Sequence, residues 1–229
     1  MKNIIVIPAR GNSKGIKKKN LINFCGKPLL HWTILQAKKS KLKKYIYVSS
    51  ESDEILNYAA KMGVSTIKRP SHLSKDNSSS ESAILHVINS LKFTVKNIVF
   101  LQATSPLRKP HDINRALNVF DTSKSDSLFS CHKAQDFFDV WAMRKKKYKP
   151  LIIDFKKRRP RQLYKEEQVC QNGSIYIFKN DIITKSNNRL GGKISVFKMK
   201  EWQSFQLDVI NQKKVMELIF FKELKKYYV

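Results

Sequence analysis

Four apolar residues in a row, Ile4, Ile5, Val6 and Ile7, run into a proline and then a loop rich in Gly, Lys and Asn. An unbroken apolar strand of this kind suits a sheet covered by helices on both faces, the arrangement of mainly parallel α/β proteins. Through residue 131 the same alternation continues, short apolar runs separated by helical spacing. Strands are expected at residues 45–48, 64–67, 97–101 and 127–131. Pro28 reads as the first residue of a helix carrying Leu29, Leu30, Trp32, Ile34 and Leu35, and Pro110 likewise before Ile113, Ala116, Leu117 and Phe120. Ser50 with Asp53 resembles a capping box opening a helix to Met62.

The pattern changes at His132. Residues 132–169 are basic, aromatic and proline-containing, with Phe137, Phe138, Trp141 and the run Lys156, Lys157, Arg158, Arg159. This stretch reads as an insertion with an exposed apolar face, a candidate dimerisation arm within a single domain spanning 1–229. Residues 173–178 and 193–197 return to strand patterning, and 212–227 close the chain as an amphipathic helix.

The 229 residues are 41% apolar, enough to bury a core. Lys and Arg number 45 against 18 Asp and Glu, a formal charge of +27, which favours anionic ligands without saying which. Much of it is lysine on expected helix faces, where solvated charge is the simpler reading. Three cysteines without C-x-x-C spacing point to reduced thiols, and the five histidines form no H-x-x-x-H pair. No apolar run approaches the ~18 residues of a membrane span, and the apolar start is too short for a secretory signal. A soluble, cytoplasmic protein without a membrane partner is expected.

Five segments carry possible chemistry. Residues 8–20, directly after the first strand, combine clearance at Gly11, Ser13 and Gly15 with the cations Arg10 and Lys19, which suits a nucleoside triphosphate. The loop is neither a Walker P-loop nor a dinucleotide fingerprint. Residues 69–80 offer Arg69 and a serine run that could read a base or ribose, or simply cap the next helix; His72 there is expected to be structural. Residues 101–108 place Gln102 at the C-terminal end of a strand, where ligands of open α/β sheets bind, and Arg108 could equally brace that loop or touch substrate. Arg161 could pair with a substrate carboxylate, near the strand 172–176. Asp208 could hold Mg²⁺ together with triphosphate oxygens, or cap the last helix.

In order, IPARGNSKGIKKKN, GKPLL, RPSHLSKDNSSS, LQATSPLR, RPRQ, NGSIYIF and SFQLD resemble the CMP-sialic acid synthetase (acylneuraminate cytidylyltransferase) family over residues 1–217. The resemblance implies a nucleotidyltransferase fold of Rossmann-like character, a homodimer made by the inserted arm, and Mg²⁺-dependent transfer of CMP from CTP to an acidic nine-carbon sugar. Under it, Arg10 and Lys19 match the triphosphate pair, and Asn20, Arg69, Ser78 and Ser80 the cytidine positions, with Ser13 in the same loop. Gln102, Arg161 and Tyr176 match sugar-binding positions, with Asn172 in the adjoining turn. Asp208 matches the second carboxylate of a D-x-D metal motif whose first position is here Gln206, which keeps an oxygen ligand but loses a charge. Gln171 and Cys170 also stand where the family often carries other residues near the sugar. Arg10, Lys19, Gln102 and Asp208 are therefore the expected catalytic set.

Alternatives at this stage are a Kdo-like acidic sugar, GTP in place of CTP, a catalytically lapsed homologue, and a basic nucleic-acid-binding protein. The last lacks RRM, KH or helix-turn-helix patterning, so no nucleic-acid partner is expected.

Overall fold

A computed structural model of the chain describes residues 1–228 except 12, 14, 135–140, 145–146, 152–153, 158–162 and 164–166. In chain order the elements are β1 (Lys2–Pro8), β2 (Asn23–Phe24), β3 (Lys27–Pro28), α1 (Leu29–Lys38), β4 (Ile46–Ser50), α2 (Asp53–Lys61), β5 (Ser65–Lys68), α3 (Ser80–Asn89) and β6 (Val95–Leu101). They continue with α4 (Asp112–Thr122), β7 (Ser127–Lys133), β8 (Trp141–Arg144), β9 (Lys147–Pro150), β10 (Val169–Lys179), α5 (Asn180–Ser186), β11 (Ile194–Lys198) and α6 (Gln212–Glu223).

Seven strands form the main sheet in the order β11-β7-β10-β6-β1-β4-β5. β10 runs antiparallel to both neighbours, while the other pairs are parallel. This is the mixed, mainly parallel sheet that the apolar runs imply. β1 lies between β6 and β4, so Ile4, Ile5, Val6 and Ile7 are fully buried.

The alternation of β1 side chains sorts the core into two layers. Ile5 and Ile7 face Leu30, Ile34, Ile113 and Leu117 of α1 and α4; Ile4 and Val6 face Ile84, Val87 and Ile183 of α3 and α5. A third cluster joins Ile16, Leu29, Trp32, Leu107 and Leu207 to Met216 and Phe220 of α6. It matters for function, because Ile16 and Leu207 belong to the two loops that carry the cationic and acidic site residues. Among the described residues no helix is long and apolar enough to cross a membrane.

Three expected helix starts shift. Pro28 is extended (φ −54°, ψ 143°), pairs with Asn23 in the β2–β3 hairpin, and precedes the first helical residue. Pro110 lies before His111, the cap of α4, where Asp112 accepts from the Lys109 amide. Ser50 ends β4, and its hydroxyl accepts from the Ser52 amide, so Ser52 takes the N-cap position of α2 without a side-chain capping bond. Each time local strand or turn pairing displaces the start by one or two residues. The closing helix ends at Glu223 and continues as a 3₁₀ turn over Lys225–Tyr227. Within 132–169 the described part holds the β8–β9 hairpin, a separate two-stranded sheet.

Candidate active site

A cavity of about 320 Å³ opens at the C-terminal ends of β1 and β6. Arg10, Ser13, Lys19, Asn20, Arg69, Ser78, Ser80, Gln102 and Asp208 all line it, so four segments up to about 190 residues apart meet at one place. This is where ligands of open α/β sheets sit.

The loop after β1 is folded by its own polar groups and its neighbours. Asn20, buried, donates to the Arg10 carbonyl at 2.8 Å and so ties the two ends of the loop together. The Gly11 amide donates to Glu51 at 2.6 Å. Gly15 passes so close to Asp208 that a Cβ there would lie 2.7 Å from the Asp208 carbonyl oxygen.

Three of the lining cations face carboxylates. Arg10 pairs with Asp76 at 2.8 Å, Lys19 with Asp208 at 3.0 Å and Arg69 with Glu51 at 3.3 Å. The pairs differ in strength. Arg10 and Asp76 are 35% and 46% exposed, so their pair contributes about 0–1 kcal/mol and yields readily to a more highly charged ligand. Arg69 and Glu51 are 4% and 19% exposed, and removing one partner would strand a buried charge. Arg69 also donates to Ser74, which fixes the start of the serine-rich loop. Burial pushes the Glu51 carboxyl up, but bonds from its own amide, Gly11, Ser74 and Arg69 outweigh this and hold it below the usual carboxylate range.

Ser79, not Ser78 or Ser80, caps α3, accepting from the Ser82 amide at 3.1 Å. Ser78 donates to the His72 carbonyl, closing the loop on itself, and the His72 side chain is exposed. Capping and cavity lining are thus shared between neighbouring serines.

Gln102 stands on a scaffold set by Arg108. That guanidinium is fully buried, and its five N–H groups go to neutral acceptors: the Ser174 carbonyl twice, Thr33, Gln36 and the Gln102 carbonyl at 2.5 Å. Burial lowers its pKa to about 9, against the opposing pull of Tyr228 and Asp112, so it stays charged near neutrality. The expected brace is therefore what Arg108 provides.

The expected sugar positions are only partly gathered here. Tyr176 pairs with Phe100 across β10 and β6, and its ring stacks on Phe100 at 5.4 Å. Phe100 lines the cavity; Tyr176 sits behind it, 4% exposed, accepting from Gln171 and covered by Arg189. Asn172 is buried and accepts from Ser130 and the Ser174 amide, holding an irregularity in β10. Gln206 lies outside the lining and donates to the Asn172 carbonyl. Arg161 and the neighbouring Arg158 and Arg159 lie outside the described residues, as do Phe137 and Phe138.

Glu51, Asp76 and Thr104 belong to the site and carry no motif of their own. Glu51 follows the end of β4, a place the parallel-sheet rule marks, but its use depends on Gly11, forty positions away. Thr104 accepts from the Leu207 amide and so couples the Gln102 loop to the Asp208 loop.

A mainly parallel sheet with a polar, cation-lined cavity at its strand ends is the arrangement of an α/β protein that takes an anionic ligand. The cytidylyltransferase family profile matches residues 4–225, and the chain belongs to that family. It is 30% identical over 226 residues to the post-translational flagellin modification protein B of Campylobacter coli, covering 94% of each chain. It is 33% identical over 208 residues to an N-acylneuraminate cytidylyltransferase of Oncorhynchus mykiss, covering 89% of this chain but 47% of that one. The chain thus spans about half the length of the latter relative. A solved CMP:2-keto-3-deoxy-manno-octonic acid synthetase, complexed with CTP, superposes with a TM-score of 0.74 at 17% identity, over 98% of this chain and 100% of that one, a likeness of fold.

Proposed function

We propose that this cytidylyltransferase moves CMP from CTP to the anomeric hydroxyl of a nonulosonic acid of sialic, legionaminic or pseudaminic type, with release of pyrophosphate. The observation that carries the reading is the convergence of Arg10, Lys19, Arg69, Gln102 and Asp208 on one cavity. The relative named as an N-acylneuraminate cytidylyltransferase supports the sugar class.

The sugar hydroxyl attacks the α-phosphorus in line, its proton passes to solvent and the bond to the pyrophosphate oxygen breaks, so the chain's task is positioning and charge neutralisation. Arg10 and Lys19 exchange their carboxylate partners for triphosphate oxygens and offset the charge developing on the leaving pyrophosphate. Ser13 lies with Arg10 and Lys19 at the phosphates, while Asn20, Arg69, Ser78 and Ser80 hold the nucleoside end. Gln102, which can donate and accept, orients the attacking hydroxyl.

The donor set suits Mg²⁺ carried in with the nucleotide. Mg²⁺ commonly takes one or two carboxylates plus phosphate oxygens and water, and Asp208 presents a 63% exposed carboxylate at the cavity. Among the described residues no cluster of three acidic, His or Cys ligands exists. Asp208 would hold the ion together with the triphosphate, and the ion, when bound, would lower the charge on the phosphates.

The arm supports a homodimer. Met143 and Tyr148 of the β8–β9 hairpin are 62% and 65% exposed, an apolar surface that a second copy would cover. A nucleotide panel tests the base: calorimetry with CTP, UTP, GTP and ATP should show tight binding for CTP alone, and preferred GTP binding would overturn the cytidine reading.

A further inference from the structure

Gln206 stands where the resembled motif has a carboxylate, but its geometry gives it a different task. Its Nε2 donates to the Asn172 carbonyl at 2.8 Å, a bond that only an N–H can make. Asn172 is itself fixed, accepting from Ser130 at 2.6 Å and from the Ser174 amide at 3.2 Å, where the register of β10 against β7 shifts. Gly173 follows at φ +67°, and a Cβ there would run into the Gln206 amide and lie 2.7 Å from Gln102 Oε1. Gln206 and Gln102 therefore both reach the place a side chain at 173 would fill.

The three residues 206–208 are held in three ways. Gln206 is tied to β10; Leu207 is fully buried beside Ile16 and Phe220, with its amide on the Thr104 carbonyl at 2.9 Å; Asp208 meets Lys19. A carboxylate at 206 would turn an oxygen toward the Asn172 oxygen, setting acceptor against acceptor in a half-buried place.

We propose that Gln206 is a positioning residue and not a cation ligand: its amide latches the segment bearing Asp208 to the Asn172–Gly173 irregularity, and so sets Asp208 and Gln102 against one cavity. The proposal rests on the cytidylyl-transfer reading above.

Two near-isosteric variants of the full chain test it, Gln206→Glu, which restores a carboxylate, and Gln206→Met, which removes the donor without adding charge. Both are expected to lose kcat by about ten- to a hundredfold, the scale of a small misplacement, while KM for CTP moves far less. The Mg²⁺ concentration for half-maximal rate should be unchanged in Gln206→Met. Hydrogen exchange of the peptide covering 203–209 reads the latch without turnover, and it should quicken in both variants. A Gln206→Glu enzyme that equals or exceeds the parent rate at lower Mg²⁺ would overturn the proposal in favour of a ligand position. Unchanged exchange at 203–209 would overturn it too. A parent protein silent toward CTP and every sugar would instead sink the transfer reading, and the exchange result would still decide the latch.

Discussion

At the scale of single residues, the site holds two kinds of ion pair, and they predict different losses. Lys19 is 12% exposed and bridges the phosphate loop to Asp208. Removing its charge as Lys19→Ala takes away the bridge and, in the proposed reaction, a donor to the leaving group. A fall in kcat/KM of about 10²–10³ is expected, as for loss of one preorganised transition-state donor, measured by steady-state pyrophosphate release. Glu51 acts on the fold of the loop. Its carboxyl is held below the unfolded value of about 4.3, so its contribution is full above that pH and is lost as pH falls through the depressed folded value. Thermal unfolding of the parent and Glu51→Gln should therefore differ near neutrality and converge as the pH falls through the depressed folded value. A gap unaffected by pH would show that the charge is not what holds Gly11.

Much of this site was legible in the sequence. Arg10, Ser13, Lys19, Asn20, Arg69, Ser78, Ser80, Gln102 and Asp208 belong to loops at strand ends, and the order of the loops assigned them together. Glu51 and Asp76 were not, because an acidic residue declares nothing until the cation it meets is known. Gln206 reads from the sequence as an oxygen ligand, whereas the atom that the fold engages is its nitrogen, which donates to the Asn172 carbonyl. A substitution shows which atom is lost; only the fold shows which atom is used.

At the scale of elements, α6 is the piece whose purpose the sequence left open. Its Phe220 packs against Trp32 at 4.4 Å, Phe24 at 5.8 Å and Tyr228 at 6.0 Å, closing the cluster that also holds Ile16 and Leu207. The helix thus helps set the distance between the loop after β1 and Asp208, whose backbone amide donates to Gln212 at the start of α6. Phe220→Ala should cost about 3–5 kcal/mol of stability, measured by denaturant unfolding, and should weaken CTP binding in the fraction that stays folded. The central strands β1, β4, β6 and β10 were well read because each carries a run of consecutive apolar residues. Helix starts at Pro28, Ser50 and Pro110 shifted because hairpin and turn bonds outcompeted local cap preference.

At the scale of the whole molecule, charge and assembly remain to be tied to the reaction. The +27 charge raises the local concentration of anionic substrates but does not choose among them. The proposed arm contact makes a sharper statement. Light scattering should give twice the chain mass, and Met143→Glu with Tyr148→Glu should give the single mass, because two charges on that face would be buried by a partner. An unaltered mass in the double variant would place the interface elsewhere.

The central claim is the transfer itself, and phosphorus NMR reads it directly. The protein would be incubated with CTP, Mg²⁺ and, separately, N-acetylneuraminic, legionaminic and pseudaminic acid. The account predicts, with at least one sugar, a new phosphodiester resonance growing in step with free pyrophosphate as the three CTP signals fade. CTP left intact with all three acids, or pyrophosphate formed without a sugar phosphodiester, would contradict it.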